Sequence, residues 1–175
     1  MDNKLKLSWI IPCYNEELVI TSTFYRVTKV CDSIPEFIWE IIFVDDGSND
    51  NTKFIFESLP KIVHRVVLLS LSKNYGHQTA VQAGIDFVKS SAVIIIDGDL
   101  QDPPELAESM IKKWKEGYNV AYGVRLERES ETFFKKFSAI LFYRVLKFLS
   151  STKIPVDAGD FRLIDKKIIE ALKKM

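Results

Sequence analysis

The sequence predicts an α/β protein built on a mostly parallel β-sheet with helices on both faces. Short apolar runs alternate with longer amphipathic segments five times between residues 5 and 124. This alternation is typical of strand–helix–strand units, in which helices join parallel strands. Polar residues concentrate directly after the apolar runs, and parallel sheets bind ligands beyond the carboxyl ends of their strands. We therefore expect the functional site along that edge of the sheet.

The elements follow from the apolar runs and from the residues that flank them. Strands are expected at residues 5–12, 40–44, 65–71, 93–96 and 119–124. Asn15 is expected to cap the first helix, and later helices are expected over residues 51–59, 78–89 and 104–116. Ser48 or Asp50 can cap the second helix, and Gly117 can close the fourth. A loop and a short strand within residues 154–163 and a helix over residues 165–175 complete the chain.

Composition excludes several functional classes. Lysine and arginine total 24, as do aspartate and glutamate, so no overall positive charge favours nucleic acid. No apolar run approaches the roughly 18–20 residues that span a membrane, and the polar, basic N-terminus does not resemble a signal peptide. The two cysteines, Cys13 and Cys31, lack metal-ligand spacing, which fits a reducing cytosolic setting.

Two carboxylates follow the fourth predicted strand. Asp97 and Asp99 are separated by Gly98, and alternation along an extended chain points both side chains the same way. Paired carboxylates at a strand end suit a hard divalent cation, Mg²⁺ or Mn²⁺. Gly98 allows a turn and the close approach of a ligand. Taken alone, so short a pattern is more typical of an ordinary acidic loop.

The other predicted strands end in polar groups too, which favours a site for a phosphate-bearing ligand. In chain order these groups are Tyr14, Asn15 and Glu16, then Asp45 and Asp46, then Lys73 and Asn74, and finally Arg125. Each has a structural alternative: a helix cap for Asn15 and Glu16, a turn for Asp45 and Asp46, and a solvated side chain for Lys73. His64 and His77 are expected to be structural or solvated.

Residues 130–153 predict a basic, aromatic-rich amphipathic helix. Residues 132–156 contain no acidic side chain, whereas Lys135, Lys136 and Arg144 are basic. Such a helix suits the surface of an anionic membrane. The alternative is a core helix whose lysines reach solvent along their apolar stems.

Six segments in order resemble the family 2 glycosyltransferases of the GT-A (Rossmann-like) fold, most closely the polyprenyl-phosphate branch that includes bactoprenol glucosyltransferases and dolichol-phosphate mannose synthases. They are IPCYNEE (11–17), VDDGSND (44–50), KNYG (73–76), DGDLQDPPE (97–105), YGVR (122–125) and GDFRL (159–163). The fourth segment is the most specific, and together the six span nearly the whole chain.

The resemblance implies a nucleotide-diphosphate sugar donor, with UDP-glucose as the leading candidate. It assigns donor binding to Pro12, Tyr14, Asn15, Glu16, Asp45 or Asp46, Lys73, Asp97, Gly98 and Asp99. A Mg²⁺ or Mn²⁺ ion on Asp97, Asp99 and Gln101 would bridge the diphosphate and stabilise the departing nucleotide.

The resemblance also implies a polyprenyl phosphate acceptor and inversion at the anomeric carbon. A phosphate acceptor is mostly dianionic at neutral pH, so it needs positioning by cations rather than deprotonation. This predicts roles for Arg125 and Arg128, with Lys135 and Lys136 assisting. Asp160 corresponds to the family's acidic residue on the acceptor side, although it could instead pair with Arg162.

Three other functions stay open at this stage. A saccharide hydroxyl could be the acceptor, in which case a general base is needed. A phosphoryl-transfer enzyme could use Asp97 as its nucleophile, although such folds typically place the motif on the first strand. A non-catalytic nucleotide-sugar-binding domain is the third.

The predicted domain organisation assigns residues 1–129 to the nucleotide-sugar-binding core, residues 130–153 to the membrane-interface helix, and residues 154–175 to an acceptor-side loop, strand and helix of the same domain. Members of the branch are anchored by C-terminal membrane helices that are absent from these 175 residues. The implied location is cytoplasmic and peripheral, at the inner face of the cell membrane. The oligomeric state stays open.

Overall fold

The computed structural model describes residues 4–60, 64–124 and 158–174. The strands are β1 (Lys6–Cys13), β2 (Ile38–Asp45), β3 (Arg65–Ser70), β4 (Ala92–Ile95), β5 (Val120–Val124) and β6 (Ala158–Asp165). The helices are α1 (Ile20–Ser33), α2 (Thr52–Glu57), α3 (His77–Phe87), α4 (Ala107–Lys115) and α5 (Lys166–Leu172), with a 3₁₀ turn at Pro104–Leu106 before α4. Each strand and helix predicted within the described residues therefore exists, and most boundaries move by only a few residues.

The six strands form one mixed sheet in the order β3-β2-β1-β4-β6-β5. β1 is parallel to both β2 and β4, and β2 is parallel to β3. β6 runs antiparallel to β4, with Ile94 opposite Leu163. The predicted α/β class and mostly parallel sheet are confirmed. The parallel order brings the carboxyl ends of the first four strands to one edge.

Both faces of the sheet are buried, which explains why β1, β2 and β4 are apolar at nearly every position. On one face Trp9 and Ile11 pack in a cluster with Phe24 of α1 and Ile111 of α4. On the other face Ile10 packs with side chains of α3 and α5, among them Val81, Ile85 and Ile169. Helices therefore cover the two faces as predicted.

The predicted start of the first helix is wrong. α1 begins at Ile20, and Asn15 adopts a left-handed backbone conformation with φ of 56° instead of capping it. The side-chain oxygen of Asn15 accepts a hydrogen bond from the backbone N–H of Asn49, 2.9 Å away. The side chain of Asn15, which the sequence predicts as a helix cap, therefore links two loops instead. At the end of α4 the expectation holds, because Gly117 has φ of 100° and donates to the carbonyl of Trp114.

The chain divides into two compact units, residues 1–122 with 160–175, and residues 123–159. In the second unit the structure describes residues 123–124 and 158–159, which belong to β5 and β6. The predicted membrane-interface helix at 130–153, together with Arg125 and Arg128, lies outside the described residues. Among the residues that are described, none of the helices has the length and apolar character needed to cross a membrane.

Candidate functional site

The loop after β4 places two carboxylates at the carboxyl edge of the sheet. Thr23 of α1 donates its hydroxyl hydrogen to the carbonyl oxygen of Gly98 at 2.7 Å, which fixes this loop to the helix beside it. A side-chain carbon added to Gly98 would lie 3.1 Å from the carbonyl oxygen of Pro12, a tight contact that glycine avoids. Asp99 accepts a hydrogen bond from the backbone N–H of Gln101 at 3.0 Å, which orients its carboxylate.

The loop after β3 is held against the end of β2. Asp46, only 3% exposed, accepts hydrogen bonds from the backbone N–H groups of Tyr75 and Gly76, each at 2.8 Å. Gly47 has φ of 71°, and a side-chain carbon there would collide with the backbone of Lys73. The loop therefore crosses the strand ends in a fixed path and delivers His77 as the first residue of α3.

The loops after β1 and β2 are hydrogen-bonded to each other. Ser48 accepts from the backbone N–H of Asn15 at 2.9 Å, and Thr52 accepts from that of Glu16 at 2.8 Å. Asp50 accepts from the backbone N–H of Glu17 at 3.1 Å. These contacts hold the two loops together and leave the ring of Tyr14 39% exposed.

A cavity of about 290 Å³ opens where these loops meet. It is lined by Pro12, Cys13, Tyr14, Glu16, Asp46, Asn74, Gly76, His77, Ala80, Asp97, Gly98 and Asp99. Four of these are carboxylic acids, and within the described part of the chain no lysine or arginine lines the cavity. The cavity therefore attracts cations and repels unaccompanied anions.

Three side chains from different elements converge at this cavity. The Nε2 atom of His77 lies 3.6 Å from Oδ1 of Asp97 and 3.9 Å from Oδ2 of Asp160 in β6. One potential ligand atom from each of the three lies within 4.8 Å of the others, which makes the group a candidate cation site. The chemistry fits, because oxygen and imidazole nitrogen are both ligands of first-row divalent metals.

Burial, together with the crowding of acids, raises the pKa of two carboxyl groups here. Burial raises the pKa of Asp97 above its ordinary value; His77 opposes this rise, and Asp160 and Asp99 add to it. Burial also raises the pKa of Glu16, with contributions from Asp99, Asp50 and Asp97. Both shifts express the cost of holding several negative charges in one partly desolvated space.

Most of the sequence-predicted donor residues described by the structure line this cavity: Pro12, Tyr14, Glu16, Asp46, Asp97, Gly98 and Asp99. Three others lie elsewhere. Asn15 links two loops, Asp45 is buried and accepts from the backbone N–H of Ser48 at 3.0 Å, and the ammonium of Lys73 sits 5.1 Å from the ring centre of Tyr75.

Some of the predicted cation ligands and acceptor residues also lie at the cavity, and others do not. Asp97 joins the cluster, Asp99 lines the cavity, and Gln101 is exposed. Asp160 reaches the cluster and also lies 3.9 Å from a guanidinium nitrogen of Arg162.

His77, which the sequence predicts to be structural or solvated, lies at this cavity and joins the cluster. Its position directly after the third strand-end loop was the available signal. His64, in contrast, lies away from the cavity and contacts Asp32 at 2.8 Å.

The fold is the one found in the GT-A glycosyltransferases. The crystal structure of glucosyl-3-phosphoglycerate synthase from Mycobacterium tuberculosis, in complex with Mn²⁺, UDP-glucose and phosphoglyceric acid, matches with a TM-score of 0.65. The match covers 94% of this chain and 58% of that chain at 17% identity, which establishes the shared fold.

Sequence comparison narrows the class to a family. The profile described as "Glycosyl transferase family 2" matches residues 8–173, so the chain belongs to this family of enzymes. The uncharacterized glycosyltransferase YkcC of Bacillus subtilis (strain 168) is 46% identical over 100% of this chain and 54% of its own length. The prophage bactoprenol glucosyl transferase homolog of Escherichia coli (strain K12) is 35% identical over 98% of this chain and 56% of its own length. The chain thus spans about half the length of the curated relatives it matches.

Proposed function

We propose that this chain binds a nucleotide-sugar donor and transfers its sugar, with inversion, to a polyprenyl phosphate at the cytoplasmic face of the membrane. The preferred donor is UDP-glucose, and the transfer depends on Mg²⁺ or Mn²⁺. The observation that carries the proposal is the acidic cavity at the carboxyl ends of the strands, lined by Asp97 and Asp99. The bactoprenol glucosyl transferase homolog, alignable over 98% of the chain, supports the choice of acceptor.

The charge of the cavity supports a cation requirement for donor binding. A diphosphate brought near Asp97, Asp99 and Glu16 meets carboxylates and no lining lysine or arginine among the described residues. Two like charges 4 Å apart repel by about 4 kcal/mol at an effective dielectric constant near 20. Several such pairs would oppose donor binding, which supports binding of the donor together with a counter-charge.

The residues available to hold that cation are Asp97, Asp99 and Asp160, with Gln101 as a further oxygen ligand. When bound, a divalent cation acts as a Lewis acid that neutralises charge on the departing nucleotide diphosphate. Tyr14, exposed beside the cavity, offers its ring to the base or ribose. The fixed loop around Gly98 holds the acids in place before the donor arrives, which reduces the entropic cost of binding.

The acceptor side contains groups that suit a phosphate. A lipid phosphate dianion attacks without losing a proton, so the protein has to position it rather than activate it. In this proposal Arg125 and Arg128 compensate its charge, and Lys135 and Lys136 assist. Asp160 orients the attacking group, and the basic segment at residues 130–153 adsorbs to anionic lipid.

A saccharide hydroxyl is the second candidate acceptor, and the position of Asp160 favours it. Its carboxylate is 43% exposed and close to the cavity, so it could accept the proton of a hydroxyl nucleophile. A domain that binds the donor without turnover is the third candidate.

One assay separates these functions. The protein is incubated with labelled UDP-glucose, Mn²⁺ and undecaprenyl phosphate in detergent micelles, and lipid-linked and soluble products are separated. We expect lipid-linked glucose whose anomeric configuration is opposite to that of the donor. Asp99→Asn should abolish the product, whereas Asp86→Asn, on the exposed side of α3, should not.

Each alternative outcome has a distinct meaning. A product formed only when an oligosaccharide is supplied would replace the lipid by a saccharide acceptor. Donor binding without any product would support the binding domain. Product formation that survives complete removal of metal by a chelator would contradict the cation requirement.

A further inference from the structure

Two polar atoms at the cavity have no hydrogen-bond partner among the described residues. Nε2 of His77 and Oδ1 of Asp97 are both buried and unpaired, and they face each other across 3.6 Å. This separation exceeds the 2.7–3.2 Å of an ordinary N–H···O hydrogen bond. A buried polar atom without a partner costs about 1–3 kcal/mol, so such atoms usually belong to a site that binds something else.

The spacing of the cluster suits a shared cation. Two ligand atoms that each lie about 2.1 Å from one metal ion are separated by roughly 3–4.2 Å, depending on the angle at the metal. The 3.6 Å and 3.9 Å separations from His77 to Asp97 and Asp160 fall in that range. An imidazole and two carboxylates thus approach one point from α3, from the end of β4 and from β6.

His77 is held where a ligand must be. Its backbone follows Gly76, whose N–H is bound by the buried carboxylate of Asp46. Ala80, one turn further along α3, is buried and lines the same cavity. A ligand whose loop and helix are both fixed loses little freedom when it coordinates a metal.

We propose that His77 is a nitrogen ligand of the cation in the donor cavity, together with Asp97 and Asp160, and that it makes this site prefer Mn²⁺ to Mg²⁺. The inference rests on the proposed function and specifies its cation. Mg²⁺ prefers all-oxygen octahedral surroundings and retains water, whereas transition metals accept imidazole nitrogen readily. One imidazole among carboxylates is therefore expected to raise the affinity of the site for Mn²⁺ relative to Mg²⁺.

The direct test is electron paramagnetic resonance of Mn²⁺ bound to the full chain, alone and with UDP. Electron spin echo modulation should detect ¹⁴N coupled to Mn²⁺ in the wild type, and the modulation should be absent in His77→Gln. Replacement of a ligand is expected to weaken Mn²⁺ binding about tenfold or more, judging from the effects of residues around metal sites. Mg²⁺ affinity, measured by competition, should change far less.

His64→Gln is the matched control, since His64 lies against Asp32 away from the cavity. It should retain wild-type Mn²⁺ affinity and ¹⁴N coupling. Circular dichroism of each metal-free variant checks that the fold is intact, and His77→Asn provides a second substitution if His77→Gln unfolds.

The outcomes distinguish this inference from the function on which it rests. If His77→Gln and His77→Asn keep the wild-type Mn²⁺ affinity and Mn²⁺ to Mg²⁺ ratio, His77 is not a ligand and the proposed transfer reaction stands. If the wild type binds no Mn²⁺ with or without UDP, both the ligand assignment and the cation requirement are overturned.

Discussion

The buried carboxylate of Asp46 offers a sharp test of how the site is held together. Asp46→Asn removes the charge and turns one of the two acceptors for the N–H groups of Tyr75 and Gly76 into an amide donor. A hydrogen bond to a charged group contributes about 1.5–3 kcal/mol, so we expect a loss of about 2–3 kcal/mol of unfolding free energy. At about 2–4 °C per kcal/mol for a chain of this size, Tm should fall by about 4–12 °C.

Two measurements check this expectation. Denaturant titration gives the change in unfolding free energy, and amide hydrogen exchange followed by NMR reports on Tyr75 and Gly76 individually. Protection should fall at these two amides more than in the core of β1. Asp86→Asn, an exposed change that affects only a side-chain contact to Gln82, should stay within about 0.5 kcal/mol of wild type. If Asp46→Asn unfolds at the wild-type denaturant concentration with both amides still protected, Asp46 does not hold this loop in place.

Three further outcomes follow from packing and charge. Gly84→Ala should lower the unfolding free energy by about 1–3 kcal/mol in denaturant titration despite its better helix propensity, because the new carbon would lie 2.6 Å from a methyl group of the buried Ile10; an unchanged midpoint would contradict this packing. Because the pKa of Glu16 is raised, the folded state holds this proton at higher pH than the unfolded state does, so the free energy of unfolding falls as pH rises above the ordinary pKa of 4.5. Glu16→Gln should flatten that fall in ligand-free thermal melts, and a pH slope identical to that of the wild type would refute this expectation. Burial raises the pKa of the Cys31 thiol to about 12 and raises that of Cys13 above its ordinary value. Both thiols should therefore react with a disulfide reagent at neutral pH far more slowly in the native protein than in denaturant, and equal rates would show that they are accessible.

The edge on which the site lies could be predicted from sequence because it depends on local patterns. Apolar runs that end in Asp46 or Asp97 are visible in the sequence, and parallel strands put such ends at one edge. The assignment of residues such as Tyr14 and Asp99 to donor binding came from the family resemblance instead, and it stays a prediction. The relation to glycosyltransferases came from the order of six short segments, each too short to be specific alone.

The role of His77 and the true start of α1 depend on contacts that no local pattern contains. His77 follows β3, an edge strand that β2 and β1 separate from β4. Its approach to Asp97 depends on the loop that Asp46 holds across the strand ends. Tertiary contacts, rather than the local sequence, set the path of that loop. Asn15 has a side chain suited to capping a helix, but in the fold it hydrogen-bonds to the neighbouring loop instead. A long-range contact thus overrides its local propensity.

The position of β6 in the sheet has a consequence for the order in which the protein matures. β6 follows β5 in the chain, yet it lies between β4 and β5. On the ribosome, β4 and β5 emerge first and must wait, with facing edges unpaired, for the strand that separates them. That same strand brings Asp160 to the cavity. The sheet and the carboxylate cluster therefore stay incomplete until β6 has been synthesised, and a nascent or nicked chain that lacks this strand would keep Asp97 and Asp99 without Asp160.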